Sequence, residues 1–93
     1  MKKPVTIKAE VLSKLNSLIR DEKAECISAL CVLPDAFGNP HLHSGLGIRK
    51  LTKYAFECRG NIHLRFLFYH RENDFYVWFL GDHNEVKDVA RKL

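Results

Sequence analysis

A chain of 93 residues with 46% hydrophobic and 28% charged residues has the composition of a folded protein, and it is too short to form a second core. The longest apolar run, at 26–33, excludes a transmembrane helix because it is far shorter than the membrane is thick. The basic start Met1-Lys2-Lys3 runs directly into Pro4 and is not expected to be a signal peptide. We therefore expect one domain over residues 1–93, located in the cytoplasm.

The positive charge is concentrated in the middle of the sequence. The formal net charge is +4, and residues 48–71 contain six of the fifteen basic residues but only one acidic residue, Glu57. This block predicts a partner rich in phosphate or carboxylate. Solvated residues at the edge of a sheet would give the same pattern, so the block alone does not decide between the two.

The cysteines and histidines show no recognisable metal or redox site. Cys26, Cys31 and Cys58 are odd in number and lack CxxC spacing, so we expect three reduced thiols, with Cys58 in the core. His41 and His43 can face the same way on an extended segment, but no Cys or acidic ligand stands at a supporting spacing. We expect no metal and no cofactor.

The first half predicts a short strand or lead-in at Val5-Thr6-Ile7, followed by an antiparallel pair of helices. Pro34 is expected to end the second helix, and residues 34–47, rich in turn formers, are expected to form a long ordered loop. The apolar stripes that predict the helices have spacings of three and four: Val11, Leu12, Leu15, Leu18 and Ile19, then Ala24, Ile27, Leu30, Cys31 and Leu33.

The second half has a period of two and predicts four antiparallel strands, at 48–53, 55–59, 62–69 and 75–80. In the third strand, one face should pack on the helices and the other should form an open basic and aromatic surface. In the fourth, Tyr76 and Trp78 are expected on one face, opposite Phe79, either packing or forming a stacking platform for an RNA base. The two faces of the third strand are Ile62, Leu64, Phe66 and Phe68, and His63, Arg65, Leu67 and Tyr69.

A short terminal helix is predicted after Asp82, which is followed three residues later by Glu85 in the pattern of a capping box. The expected fold class is therefore α+β: an N-terminal helix hairpin packed on a four- to five-stranded, mainly antiparallel sheet, with a short C-terminal helix. All helices are expected on one face of the sheet.

This order of elements, together with four short sequence motifs, resembles the RelE/ParE superfamily of toxins from type II toxin–antitoxin systems. The motifs are GLGIRKL at 45–51, FECR at 56–59, LRFLF at 64–68 and FLGDHNEV at 79–86. They are similar to the family patterns G-L-x-x-(R/K)-L, (Y/F)-E-x-R, (Y/L)-R-(I/L/F)-(V/L)-(Y/F) and G-x-(H/R). The similarity covers roughly residues 34–93.

The resemblance implies one of three functions. RelE-like members cleave mRNA in the ribosomal A site without a metal, by positioning the RNA 2′-hydroxyl for in-line attack on the adjacent phosphate. ParE-like members inhibit DNA gyrase, and a third possibility is a non-catalytic member that only binds its antitoxin. An antitoxin partner is implied in each case, and a basic, partly apolar toxin surface should attract an acidic amphipathic segment.

Carried over residue by residue, the resemblance implies catalytic roles for Arg65, Arg59 and His83. The two arginines would stabilise charge on the scissile phosphate, and an imidazole suits proton transfer near neutral pH. The residues expected to bind substrate are Arg49, Lys50, Lys53, His63 and Tyr69.

Each assignment has a structural alternative. Arg65 could instead form a salt bridge with Glu57, a residue that could itself be a general base or could only orient an arginine. His83 could be a solvated residue at the start of a helix. The tail at 89–93 also lacks the late catalytic Tyr or His-Tyr pair of several active nucleases.

Overall fold

The computed structural model describes residues 3–93, so that the first two residues of the basic start, Met1 and Lys2, lie outside the described part. In chain order the elements are β1 (Val5–Ile7), α1 (Ala9–Ser17), α2 (Arg20–Ala36), α3 (Pro40–Gly45), β2 (Arg49–Lys50), β3 (Ala55–Arg59), β4 (Leu64–His70), β5 (Phe75–Asp82) and α4 (His83–Ala90). No helix among these is long and apolar enough to cross a membrane.

The strands form one sheet in the order β1-β5-β4-β3-β2. The four strands from β2 to β5 are antiparallel neighbours, as their short links predict. β1 joins the far edge parallel to β5, with Val5 opposite Phe75. The predicted α+β class, with a mainly antiparallel sheet of five strands, is confirmed.

α1 and α2 cover one face of the sheet, which we call the first face. Phe66 and Phe68 of β4 point into this layer and are fully buried, together with Leu15 of α1 and Leu33 of α2. Burial of each such side chain contributes about 1.5–3 kcal/mol relative to exposure. The prediction that these two residues of β4 face the helices is confirmed.

The buried stripe of α2 differs from the predicted one. Ala24, Ile27 and Cys31 are exposed, and the helix continues through Pro34 to Ala36. α2 has apolar residues on more than one side, so the spacing alone could not select the buried side. The missing N–H of Pro34 is tolerated because the helix ends two residues later, with apolar packing on both sides of the proline. The buried residues are Cys26, Ala29, Leu30, Leu33 and Ala36.

The segment expected to be a loop contains a short helix, α3, which has Pro40 at its start. Before it, the ring of Phe37 packs edge-on against Phe56, with centroids 5.0 Å apart, and lies 4.3 Å from the ring of His70. After it, Gly47 has a φ of +67°, a conformation that favours glycine, and turns the chain into β2.

Two predicted strands are shorter in the structure. β2 is reduced to Arg49–Lys50, and β4 begins at Leu64 instead of residue 62. The Oδ1 atom of Asn61 accepts hydrogen bonds from the backbone N–H groups of His63 and Leu64, which makes residues 61–64 a turn. Ile62 is consequently 84% exposed, so its predicted place on the buried face is wrong.

A β-bulge changes the second half of β5. Phe68 pairs with Val77 and Leu67 pairs with Phe79, so that Trp78 has no partner in the ladder. Phe79 therefore shares the face of Leu67, and its predicted position opposite Trp78 is wrong. β5 also continues to Asp82, two residues beyond the predicted end.

The terminal helix α4 has the predicted capping box. The Asp82 carboxylate accepts from the N–H of Glu85, and the Glu85 carboxylate accepts from the N–H of Asp82. α4 packs against β4 and β5, and its buried Val86 lines the same depression as Glu57, whose side chain points away from α1 and α2. The prediction of all helices on one face is therefore wrong. Leu67, an apolar residue of this second face, is fully buried, as expected if α4 shields part of the face from solvent.

Candidate functional site

The second face of the sheet carries the residues that the resemblance singled out. Along β4, Arg65 and Tyr69 alternate with the buried phenylalanines and so point to this face. Glu57 of β3 lies opposite Leu67, and Arg49 of β2 lies opposite Glu57. Three charged side chains from neighbouring strands are thus brought to one side.

Glu57 is a buried carboxylate between two arginines. Its Oε1 atom lies 3.2 Å from Nε of Arg49, and its Oε2 atom lies 4.0 Å from Nη1 of Arg65. Only 7% of the Glu57 side chain is exposed, against 26% for Arg65 and 74% for Arg49. Two guanidinium groups around one carboxylate leave an excess positive charge. The salt bridge proposed as a structural role for Arg65 is present, but 4.0 Å is too long for a hydrogen bond, so the guanidinium keeps its donors available.

A depression of about 460 Å³ lies beside this cluster, between α4 and strands β2 and β3, and we call it the cationic cleft. One of its walls is the polar side of α4. His83, Lys87 and Arg91 are spaced four residues apart, which places them on one side of a helix. The lining residues are Arg49, Leu51, Glu57, His83, Val86, Lys87, Ala90 and Arg91.

His83, the first residue of α4, is exposed and lines the cationic cleft with Arg49 and Glu57. The structure therefore brings together three residues that the sequence singled out: Arg49, Arg65 and His83. Lys87 and Arg91 were missed. The signal that could have found them is their spacing from His83 on the predicted terminal helix.

The side chain of Arg59 lies outside the cationic cleft. It pairs with Arg65 across the strands, but its guanidinium lies against Gly47, where a Cβ would come within 3.4 Å of Nη2 of Arg59. The side chain lines a different depression, between α2, α3 and the β3–β4 turn. Within residues 3–93, Arg59 has no ion-pair partner.

The remaining residues expected to bind substrate lie apart from the cationic cleft. Lys50 pairs with Phe56 and so points to the first face. Lys53 lies in the β2–β3 link with its Nζ 5.4 Å from the ring centre of Tyr54, and His63 is exposed in the 61–64 turn.

Tyr69 is on the second face but makes an aromatic contact. Its ring stacks on Trp78 with centroids 5.2 Å apart and planes inclined by 19°. The indole Nε1 of Trp78 is buried and has no hydrogen-bond partner among the described residues. Trp78 is therefore oriented by packing.

The three thiols lie outside the cationic cleft. Cys58 is fully buried in the core as predicted, and burial, followed by the charge of Glu57, raises the pKa of its thiol to about 12. Among residues 3–93, no three His, Cys, Asp or Glu side chains are grouped as a metal site would require.

Two solved structures share this architecture. A chain of the archaeal RelE–RelB complex from Pyrococcus horikoshii OT3 superposes with a TM-score of 0.71 at 17% identity, covering 88% of this chain and 96% of that one. A conserved hypothetical protein from Helicobacter pylori, solved in solution, gives a TM-score of 0.51 at 14% identity with the same coverage. No protein-family model and no curated protein matches the sequence. At such identities the likeness establishes the fold, and this chain has a RelE-like fold, as the sequence motifs implied.

Proposed function

We propose that this chain is the toxin of a type II toxin–antitoxin system and cleaves mRNA on the ribosome without a metal. The proposal is supported by the RelE-like fold and by the grouping of Arg65, Arg49 and His83 around a buried carboxylate. The excess of positive charge in the cationic cleft is suited to the phosphates of RNA.

The observation that carries the proposal is the partly buried and weakly paired side chain of Arg65. Its side chain is 26% exposed, on an inner strand, and its one ion-pair contact among residues 3–93 is at 4.0 Å. A partly desolvated guanidinium with free N–H groups is well suited to a phosphate, because charge-assisted bonds strengthen as water is excluded. It would be most effective in the transition state, where charge builds up on the non-bridging oxygens.

In the proposed reaction, the RNA 2′-hydroxyl attacks the adjacent phosphorus and loses its proton. The bond to the 5′-oxygen of the next nucleotide breaks, and that oxygen takes up a proton. The products are a 2′,3′-cyclic phosphate and a 5′-hydroxyl. His83 is the candidate for proton transfer because an imidazole can serve at neutral pH. Glu57 orients Arg49 and Arg65, whereas Arg59 would have to turn away from Gly47 to reach the same phosphate.

We also propose a cognate antitoxin that presents an acidic amphipathic segment. The archaeal structure is a RelE–RelB complex. In this chain, the groove between α2, α3 and the β3–β4 turn is lined by the exposed Val32, Leu42 and Ile62. Arg59, which has no ion-pair partner among residues 3–93, lies beside them. Such a surface fits an apolar helix side that carries a carboxylate. Co-purification with the product of the adjacent gene, lost in Ile62→Asp, tests this.

Primer-extension mapping of mRNAs after induction of the chain tests the cleavage. We expect ribosome-dependent cuts that disappear in Arg65→Ala, whereas the matched loss of charge in Arg20→Ala, exposed at the start of α2, leaves them unchanged. Circular dichroism should show that both variants are folded. Intact mRNA together with gyrase-linked DNA breaks would replace the proposal by a ParE-like activity. Intact mRNA and intact DNA would leave a non-catalytic family member, and full toxicity of Arg65→Ala would remove Arg65 from the mechanism.

A further inference from the structure

The cationic cleft has cations on both of its walls and one carboxylate between them. Arg49 stands on the β2 wall, and Lys87 and Arg91 stand on the α4 wall. The carboxylate, Glu57, is shared by Arg49 and Arg65. The cleft therefore has a net positive charge even when His83 is neutral, and an anion is the ligand that this charge favours.

The donors in the cleft remain available to a ligand. Arg49 uses its Nε atom to contact Glu57, which leaves both terminal nitrogens free. Lys87 has no ion-pair partner within residues 3–93. Arg91 contacts Asp88 at 2.8 Å, but both side chains are more than two-thirds exposed, so a phosphate could replace that pair at little cost.

The volume and the apolar lining of the cleft indicate which kind of anion would fit it. A volume of about 460 Å³ is within the range of small-molecule sites and much larger than a bare phosphate requires. Leu51, Val86 and Ala90 add apolar surface between the cations. A phosphate attached to a partly apolar body, as in a nucleotide, matches both features.

We propose that Lys87 and Arg49, from opposite walls, bind the RNA phosphate next to the one held by Arg65. The inference rests on the proposed function and adds α4 to the substrate-binding surface. Lys87 supplies positive charge from α4, and its role is in binding. Arg91 lies one helical turn further along α4 and continues the same row of positive charges.

The competing explanation is that these cations are solvated and attract RNA only through the general charge of the protein. The chain offers two matched pairs that separate the explanations. Lys92 lies just after α4 and carries the same charge as Lys87, but it does not line the cleft. Arg20, exposed at the start of α2, carries the same charge as Arg49 and does not line the cleft.

The test is binding of a fluorescently labelled single-stranded RNA hexamer with 2′-O-methyl sugars, which cannot be cleaved, followed by anisotropy at several salt concentrations. We expect Lys87→Ala to weaken binding about three- to tenfold and to reduce the slope of log K against log salt by about 0.7, the value for one phosphate contact of single-stranded RNA. Lys87→Arg should retain both the binding affinity and the slope of log K against log salt. Lys92→Ala and Arg20→Ala should stay within about twofold, with the slope retained.

Arg49→Ala should resemble Lys87→Ala, but the decision rests on Lys87, which is exposed and can be replaced without disturbing the fold. Equal effects of Lys87→Ala and Lys92→Ala would overturn the inference, and so would no effect of either. RNA bound in the expected way but left uncut in cells would reject the proposed cleavage and keep the binding site. Cleavage of mRNA in cells, together with an unchanged salt slope in Lys87→Ala, would keep the proposed cleavage and reject the binding role of Lys87.

Discussion

The Nε atom of Arg49 lies 3.2 Å from Oε1 of Glu57, and this contact joins the edge strand β2 to the middle of the sheet. β2 has only two residues, so its backbone pairing with β3 is short. The ion pair adds a side-chain link on the second face, where Glu57 also approaches Arg65. One carboxylate thus supports both the edge of the sheet and the orientation of two arginines.

Replacing Glu57 with Gln should lower the free energy of unfolding by about 1–3 kcal/mol, since a buried partner of two cations is neutralised and the arginines are left to repel each other. The loss is smaller than for a fully buried pair because Arg49 is mostly exposed. Urea denaturation measures it. Glu25→Gln, an exposed change on α2, serves as the control, and equal stability of the two variants would contradict the role given to Glu57.

The three thiols should differ in reactivity. Burial raises the pKa of Cys58 to about 12 and that of Cys26 to about 11, so neither forms much thiolate at neutral pH, whereas Cys31 is exposed. Brief treatment of the folded protein with iodoacetamide should modify Cys31 alone, as read by mass spectrometry, and all three after unfolding in urea. Rapid labelling of Cys58 in the folded protein would contradict its placement in the core.

Two glycines should respond in opposite ways to alanine. A Cβ at Gly60 would lie 2.9 Å from Sγ of Cys26 and 3.0 Å from the ring of Phe66, so Gly60→Ala should cost about 1–3 kcal/mol through overpacking. A Cβ at Gly45, inside α3, meets nothing within 4 Å, and Gly45→Ala should stabilise by about 0.4–1 kcal/mol. Thermal unfolding of both variants measures the contrast. Equal melting temperatures would argue against the close packing at Gly60.

Asp74 should make stability sensitive to acid. Hydrogen bonds from Arg71, then from Thr6, lower the pKa of its carboxyl from the ordinary 3.8 to about 2. The folded state favours the ionised form, so this stabilisation is present above pH 3.8 and is lost as the pH falls towards 2. Asp74→Asn should therefore be less stable than the parent at neutral pH, with the difference shrinking over that interval. Urea titrations at several pH values measure it. A constant difference would show that the ionised carboxylate is not what stabilises.

The parts of the fold that local sequence determines were predicted well. The strand alternation, the helix pair and the capping box each depend on residues a few positions apart, and the pattern of Phe66 and Phe68 against Arg65 followed from a period of two. The buried side of α2 and the bulge at Trp78 depend on what packs opposite them. No local pattern contains that information.

The candidate site was predicted in the same uneven way. Arg65, Arg49 and His83 followed from strand alternation and the resemblance to the toxin superfamily. Lys87 and Arg91 were missed because α4 was expected on the other side of the sheet, where its cations would only be solvated. The direction of Arg59 is set by the space over Gly47, which depends on a backbone turn that the sequence did not reveal.

The parallel pairing of β1 with β5 has a consequence for synthesis. Val5 finds its partner only in Phe75, so the first strand leaves the ribosome long before the strand beside which it must lie. Closing such a long loop late is a slow step in folding. Until β1 has paired, β5 is an open edge of the sheet, so the parallel ladder between these two strands is among the last parts of the sheet that can form.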